Sequence, residues 1–183
     1  TRKKIDGVGK PSKEKSIKDP DNVFYARGPR LRLTAEQIRD QALFVSGLLS
    51  KKMFGPGVMP PQPDGIWESP YNGDQWIESI GEDKYRRGLY TFVKRTSPYP
   101  SMTTFDVNMR EVCHVKRIPT NTPLQALVTL NDPVYLEAAL AFANLHSNKP
   151  YEDAIKDMFE SATFRKLSDD KLNSLINLYN ESS

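Results

Sequence analysis

Cysteine is almost missing from this chain. Among 183 residues there is one, Cys113, so no intrachain disulfide can form. The dipeptide Cys113-His114 lacks the upstream cysteine of a C-x-x-C-H haem attachment site. Histidine is scarce too, with two residues, and together these counts argue against a dedicated zinc site. No apolar run approaches the ~18 residues of a membrane span. No signal peptide is visible and the chain opens on Thr1, which reads as an excised piece of a longer polypeptide.

The formal charge of +3 is unevenly spread. Residues 1–18 hold seven bases and two acids, a net +5, which leaves about −2 for the rest of a chain whose total is +3. The basic character belongs to a tail, and the body lacks the clustered basic face of a nucleic-acid binder. With 38% hydrophobic and 27% charged residues, the chain has an ordinary globular composition.

Residues 1–30 are polar and punctuated by Gly and Pro, and predict an extended or irregular lead-in. Residues 31–183 then read as a single, mainly helical domain. Thr34 with Gln37 three positions on forms a capping-box signature. Ile38, Ala42, Val45 and Leu49 predict a buried stripe on a helix running toward Gly55. From Phe54 to Asp83 periodicity is lost, and five prolines and five glycines mark a long loop. Its aromatic residues, Trp67, Tyr71 and Trp76 among them, argue against disorder.

"RRGLYTFVKR" (86–95) fits a helix or a strand, and the strand is preferred. Paired with a second strand over "EVCHVKRI" (111–118), it would make a small β-hairpin or short sheet. Thr122-Pro123 starts another helix, with Gln125 completing a second capping box and Leu124, Leu127 and Val128 facing inward. Asp132-Pro133 ends it and begins the next, with an expected stripe of Val134, Ala138, Ala141, Phe142 and Leu145. A last helix pair is expected over about 150–182, packed through short turns. The fold class is therefore mainly α, with a small β element and a long Pro/Gly-rich aromatic loop.

Three groups of residues suit a site. Arg86, Arg87, Lys94, Arg95, Arg110 and Arg117 would grip an anionic or polyhydroxyl ligand through guanidinium forks, or serve a structural ion-pair network. Asp106 and Glu111 would be acid and base for glycoside cleavage if they face each other. Trp67, Tyr71 and Trp76, interleaved with Asp64, Asn72, Asp74 and Gln75, have the composition of a sugar-stacking loop, or would staple the loop to the core. Thr120, Asn121 and Gln125 stand at a helix N-terminus, where free N–H groups collect and could bind a ligand, or simply serve the cap with Thr122.

The stretches "RLRLTAEQIRDQALFVSGLL", "PPQPDGIWE", "YRRGLYTFVKR", "SMTTFDVNMREVC" and "RIPTNTPLQALVTLNDPVYLEAA" together resemble the planctomycete cytochrome-associated PSD domain, the domain of unknown function 1553 family. The resemblance spans roughly Asp19 to Leu145. It implies the C-terminal part of a larger exported protein with an extracytoplasmic, cell-envelope setting. Upstream domains, one of them sometimes carrying a c-type haem, would be the first partners, and no cofactor is expected in this chain. It transfers no catalytic residue. Three functions remain open: a module that binds a glycan or anionic polymer or docks to its upstream domains; a polysaccharide hydrolase; a structural scaffold. Enzymatic activity of this segment alone is left open, with the balance against it.

Overall fold

A computed structural model describes residues 13–25, 32–66, 75–108, 113 and 115–182. The chain divides into two compact units, Thr1–Arg32 and Leu33–Ser183. In the first, the expected irregular lead-in contains a short helix, α1 (Lys13–Lys18). Asp19 N–H closes it on Lys15 O at 3.1 Å, and the Asp19 carboxylate accepts the N–H groups of Val23 and Phe24 in the turn that follows, at 2.7 and 3.0 Å.

The second unit is mainly α. It is built from α2 (Ala35–Val45), α3 (Pro100–Thr104), α4 (Pro123–Asn131), α5 (Pro133–Leu145), α6 (Tyr151–Thr163) and α7 (Asp169–Ser182). Two 3-10 turns, Gly81–Tyr85 and Gly88–Tyr90, lie between α2 and α3. Around Ala35, Tyr99, Met102, Phe105 and Tyr135 forms a core from α2, α3 and α5, with Ile38, Ala42, Trp76, Val107 and Val128 against it.

The start of α2 follows the sequence. Thr34 and Gln37 form the reciprocal capping box. Its end does not. The helix stops at Val45, because Gly47 turns left-handed at φ 76° and Leu49 N–H reaches back to Leu43 O at 2.9 Å. The buried face is also displaced from the expected stripe. Ala35, Arg39 and Leu43 are the buried residues, while Ile38, Ala42, Val45 and Leu49 are only partly covered. A buried arginine at the centre of that face hid it from an apolar count. Arg39 donates from Nη2 to Lys84 O at 2.9 Å.

The expected β-hairpin is corrected. Among the described residues the β structure is a single parallel bridge, Val58 to Thr91. Val58 N–H donates to Tyr90 O, and Phe92 N–H to Val58 O, both at 2.8 Å. Residues 88–90 turn as a 3-10 helix because Gly88 packs directly on the backbone of Glu36 in α2. For the second strand, Glu111, Val112 and His114 lie outside the described residues, and Cys113 and 115–118 are not in strand.

The long loop is ordered where it is described. Prolines leave carbonyls with no ladder partner, and aromatic donors supply one. Trp76 Nε1 donates to Pro60 O at 2.8 Å and Tyr99 OH to Pro61 O at 2.7 Å. The Trp76 and Tyr99 rings stack at 5.6 Å. Ser79 N–H donates to Met59 O and Met59 N–H to Ser79 Oγ, so residues 75–80 run along 58–62.

Asp132 is the only residue between α4 and α5, C-cap of one and N-cap of the other. It is buried, and its Oδ1 accepts Val134 N–H at 2.9 Å. Burial pushes its carboxyl pKa above the usual range, against the hydrogen bond from Val134 and the field of Arg39. A raised folded pKa adds stability that is complete below the unfolded value near 3.8 and is lost as pH rises through the folded value. The urea midpoint of Asp132→Asn, which keeps a good cap, should therefore gain on the wild type as pH rises through that window. A constant difference from pH 3 to 7 would refute this. Asp132→Ala should lose about 1 kcal/mol through the cap alone.

Helices α6 and α7 pack on each other, with Tyr151 and Tyr179 stacked at 5.3 Å, and neither contains a buried residue. The buried face of α5 also departs from expectation. Val134, Tyr135 and Ala138 are buried, Phe142 packs on His146, and Leu145 is exposed.

Candidate functional site

The arginines of 86–95 and Arg117 do not converge on one pocket. Arg86 is 1% exposed. Its Nη1 donates to Pro56 O at 2.9 Å, its Nη2 to Phe54 O, and its guanidinium lies 3.8 Å from the centre of the Tyr90 ring. It is a staple for the turn at Phe54 and Gly55, both left-handed. Its Nε is buried without a hydrogen-bond partner.

Helix α2 organises the other two. Glu36 and Asp40 stand one turn apart. Arg117 Nη1 binds both Glu36 oxygens, at 3.0 and 2.7 Å. Asp40 accepts Arg87 Nε at 3.2 Å and Gly88 N–H at 2.5 Å. Burial of Glu36 raises its pKa, but the Arg117 fork and hydrogen bonds near the cap outweigh it and hold the carboxyl below its ordinary value. The same fork raises the Arg117 pKa. Lys94 is half-buried and Arg95 exposed, in a turn closed by Ser97 N–H on Lys94 O.

Asp106 and Gln125 are brought together, with Thr120 between them. Asp106 sits at φ 60° as α3 ends. Its Oδ2 accepts Thr120 N–H at 2.6 Å, and the Thr120 hydroxyl is 2.9 Å from both carboxylate oxygens. Buried Gln125 donates from Nε2 to Thr104 O at 3.0 Å and Thr120 Oγ1 at 3.2 Å, with Asp106 Oδ2 at 3.5 Å. The second capping box is thus corrected: Thr122 makes no side-chain cap bond, because the Gln125 amide serves residues up to 21 positions upstream. The Asp106–Thr120–Gln125 cluster clips the two ends of the intervening segment together. Asn121 is exposed beside it.

Glu111 and Arg110 lie outside the described residues, as do Trp67, Tyr71, Asn72 and Asp74. Of that loop's three aromatics Trp76 is the described one, and it is engaged by Pro60 and Tyr99, while Asp64 and Gln75 are exposed. Cys113 is exposed. Among the described residues, no three His, Cys, Asp or Glu side chains are placed to hold a metal ion, and no helix is long and apolar enough to cross a membrane.

The least explained surface is apolar. Helix α5, "PVYLEAALAFANL", carries one charged residue, Glu137. Its Oε1 is held by Lys84 Nζ at 2.9 Å and Tyr85 OH at 2.7 Å. Opposite the buried Val134 and Ala138 face, Leu136, Ala139, Leu140 and Ala143 form an exposed row at i, i+3, i+4, i+7 spacing, with Leu136 51% and Leu140 65% exposed. On α4, Leu124, Leu127 and Leu130 are each more than half exposed, so the inward face expected there reduces to Gln125 and partly covered Val128. The signal was present in the sequence, since α5 carries apolar residues on the face opposite its buried one as well.

No curated protein and no solved structure shows significant similarity to the chain. One family model matches it over residues 8–179, that of PSD1, a protein of unknown function (DUF1553). With nearly its whole length covered, the chain belongs to the PSD1 (DUF1553) family.

Proposed function

We propose that this domain is a non-catalytic docking module, one that seats an apolar helical face against another folded protein surface. The exposed row Leu136, Ala139, Leu140, Ala143 carries this reading. A helix with apolar residues on two opposite faces normally has both covered, and here one is open. Within an exported, multidomain, extracytoplasmic protein, as the family resemblance implies, the upstream domains are natural partners. The glycan-binding and hydrolase readings have less support. Arg86, Arg87, Arg117 and Trp76 already have structural partners, and Asp106 is engaged by Thr120.

A Leu136→Glu/Leu140→Glu double variant tests the reading. A surface change away from the core costs within about 0.5 kcal/mol per site. The variant should therefore keep its helical circular dichroism and its melting temperature within a few degrees, and bind less of an apolar-surface dye such as ANS. Collapse of the fold would instead place the leucines in the core and overturn the proposal.

A further inference from the structure

Independently of the docking face, we propose that the Lys116–Arg117 peptide bond is a processing site. An endoprotease with a carboxylate in its specificity pocket cuts there and leaves a folded two-chain module. The first support is the state of the backbone. A protease takes its substrate as an extended strand and supplies that strand's hydrogen bonds from its own edge. Residues 115–119 are exposed throughout, Val115 fully and Ile118 by 81%. They belong to no helix or bridge. Of these described residues, Val115, Lys116, Ile118 and Pro119 make no hydrogen bond or ion pair. Other exposed bases lack that freedom. Lys52 N–H is tied to Ser50 Oγ at 3.1 Å, and its Nζ to Asp83. Arg87 is held by Asp40, which also binds Gly88 N–H. Lys166 lies in the turn between α6 and α7, which is too short to run extended through a cleft.

The second support selects the bond. Arg117 gives its guanidinium to Glu36 and cannot also enter a specificity pocket. Lys116 beside it has a free ammonium, the group that a buried carboxylate in such a pocket recognises. Cleavage is hydrolysis. Water adds across the amide, the C–N bond breaks, Lys116 keeps a carboxylate and the amine of Arg117 takes up the released proton. The third support is what spans the cut. The Thr120 N–H and hydroxyl bind the Asp106 carboxylate, and Gln125 Nε2 donates to Thr104 O. Tyr135 of α5 packs edge-on to Phe105 in the core, and Glu137 accepts from Lys84 and Tyr85. The C-terminal piece therefore keeps its seat on the N-terminal one.

Digestion of the full chain with dilute trypsin, read by intact-mass spectrometry and size-exclusion chromatography, tests this. Within Leu33–Ser183, the first new ends should be a carboxyl-terminal Lys116 and an amino-terminal Arg117. The two pieces should elute together, retain their helical circular dichroism, and separate in urea. Lys116→Gln is an exposed change that leaves folding intact. It should slow this cut at least about tenfold, because a neutral amide leaves the protease's carboxylate unpaired. Glu36→Gln should add a cut after Arg117, whose guanidinium it releases. A first cut elsewhere in 33–183, or an undiminished rate in Lys116→Gln, overturns the site. Glu36→Gln chains cut only after Lys116 overturn the part given to the Arg117 fork. Pieces that separate or unfold on cleavage overturn the two-chain module and make the bond a point of degradation.

Discussion

Alanine at position 88 should cost on the order of 3 kcal/mol, the upper end of overpacking penalties, and lower the melting temperature by roughly 6–12 °C. The reason is a backbone-to-backbone contact. A Cβ on Gly88 would lie 2.9 Å from both Cα and O of Glu36. No flexible side-chain end can move aside. Nor can α2 retreat easily, because its first turn is fixed by the Thr34–Gln37 capping box and by the Arg117 fork on Glu36. Moving Gly88 outward instead would break its N–H bond to Asp40. Gly81→Ala is the control. Its φ is 62° but nothing lies within 4 Å of the added carbon, so only the left-handed strain of about 1 kcal/mol applies. Thermal melts of both variants decide the matter, and equal losses would refute the contact argument.

Arg86→Ala should be at least as damaging, at about 3–5 kcal/mol, since each of two buried hydrogen bonds from a charged donor is worth about 1.5–3 kcal/mol. Two carbonyl oxygens, of Phe54 and Pro56, would lose their donor, and the Tyr90 face would lose its cation. Arg86→Lys should recover little, since an ammonium cannot span two carbonyls with a planar fork. A ligand-gripping arginine would behave oppositely, leaving folding intact and abolishing a binding response. Denaturant titration separates the two. A loss under about 0.5 kcal/mol would return Arg86 to the list of binding residues.

What could be read from the sequence was local. Thr34, Pro123 and Asp132-Pro133 announce helix starts because caps and proline act within one turn of chain. Helix ends and buried faces were harder. Gly47 ends α2 ahead of the more conspicuous Gly55, and Arg39 occupies a core-facing position that an apolar pattern skips. The failures at the site were non-local. Gln125 has the spacing of a capping residue, yet Thr104 and Thr120 claim its amide through tertiary structure. Arg117 and Arg87 pair with Glu36 and Asp40 on α2, 81 and 47 positions away. Charge clustering along a chain does not reveal whether arginines share a pocket or are each paired elsewhere. The preference for a strand over 86–95 failed for a similar reason, since its backbone pairs only briefly with Val58 and is otherwise shaped by Gly88 against α2.

The stacking of Trp76 on Tyr99 has an optical consequence. The chain has two tryptophans, so a Trp67→Phe chain keeps a single indole, and that indole lies against the core and donates to Pro60. Its emission maximum should shift to the red as water reaches the ring. Energy transfer from Tyr99, 5.6 Å away, should disappear in the same transition. The loop and the core then share one intrinsic chromophore, and unlabelled protein reports whether the two come apart together or in sequence.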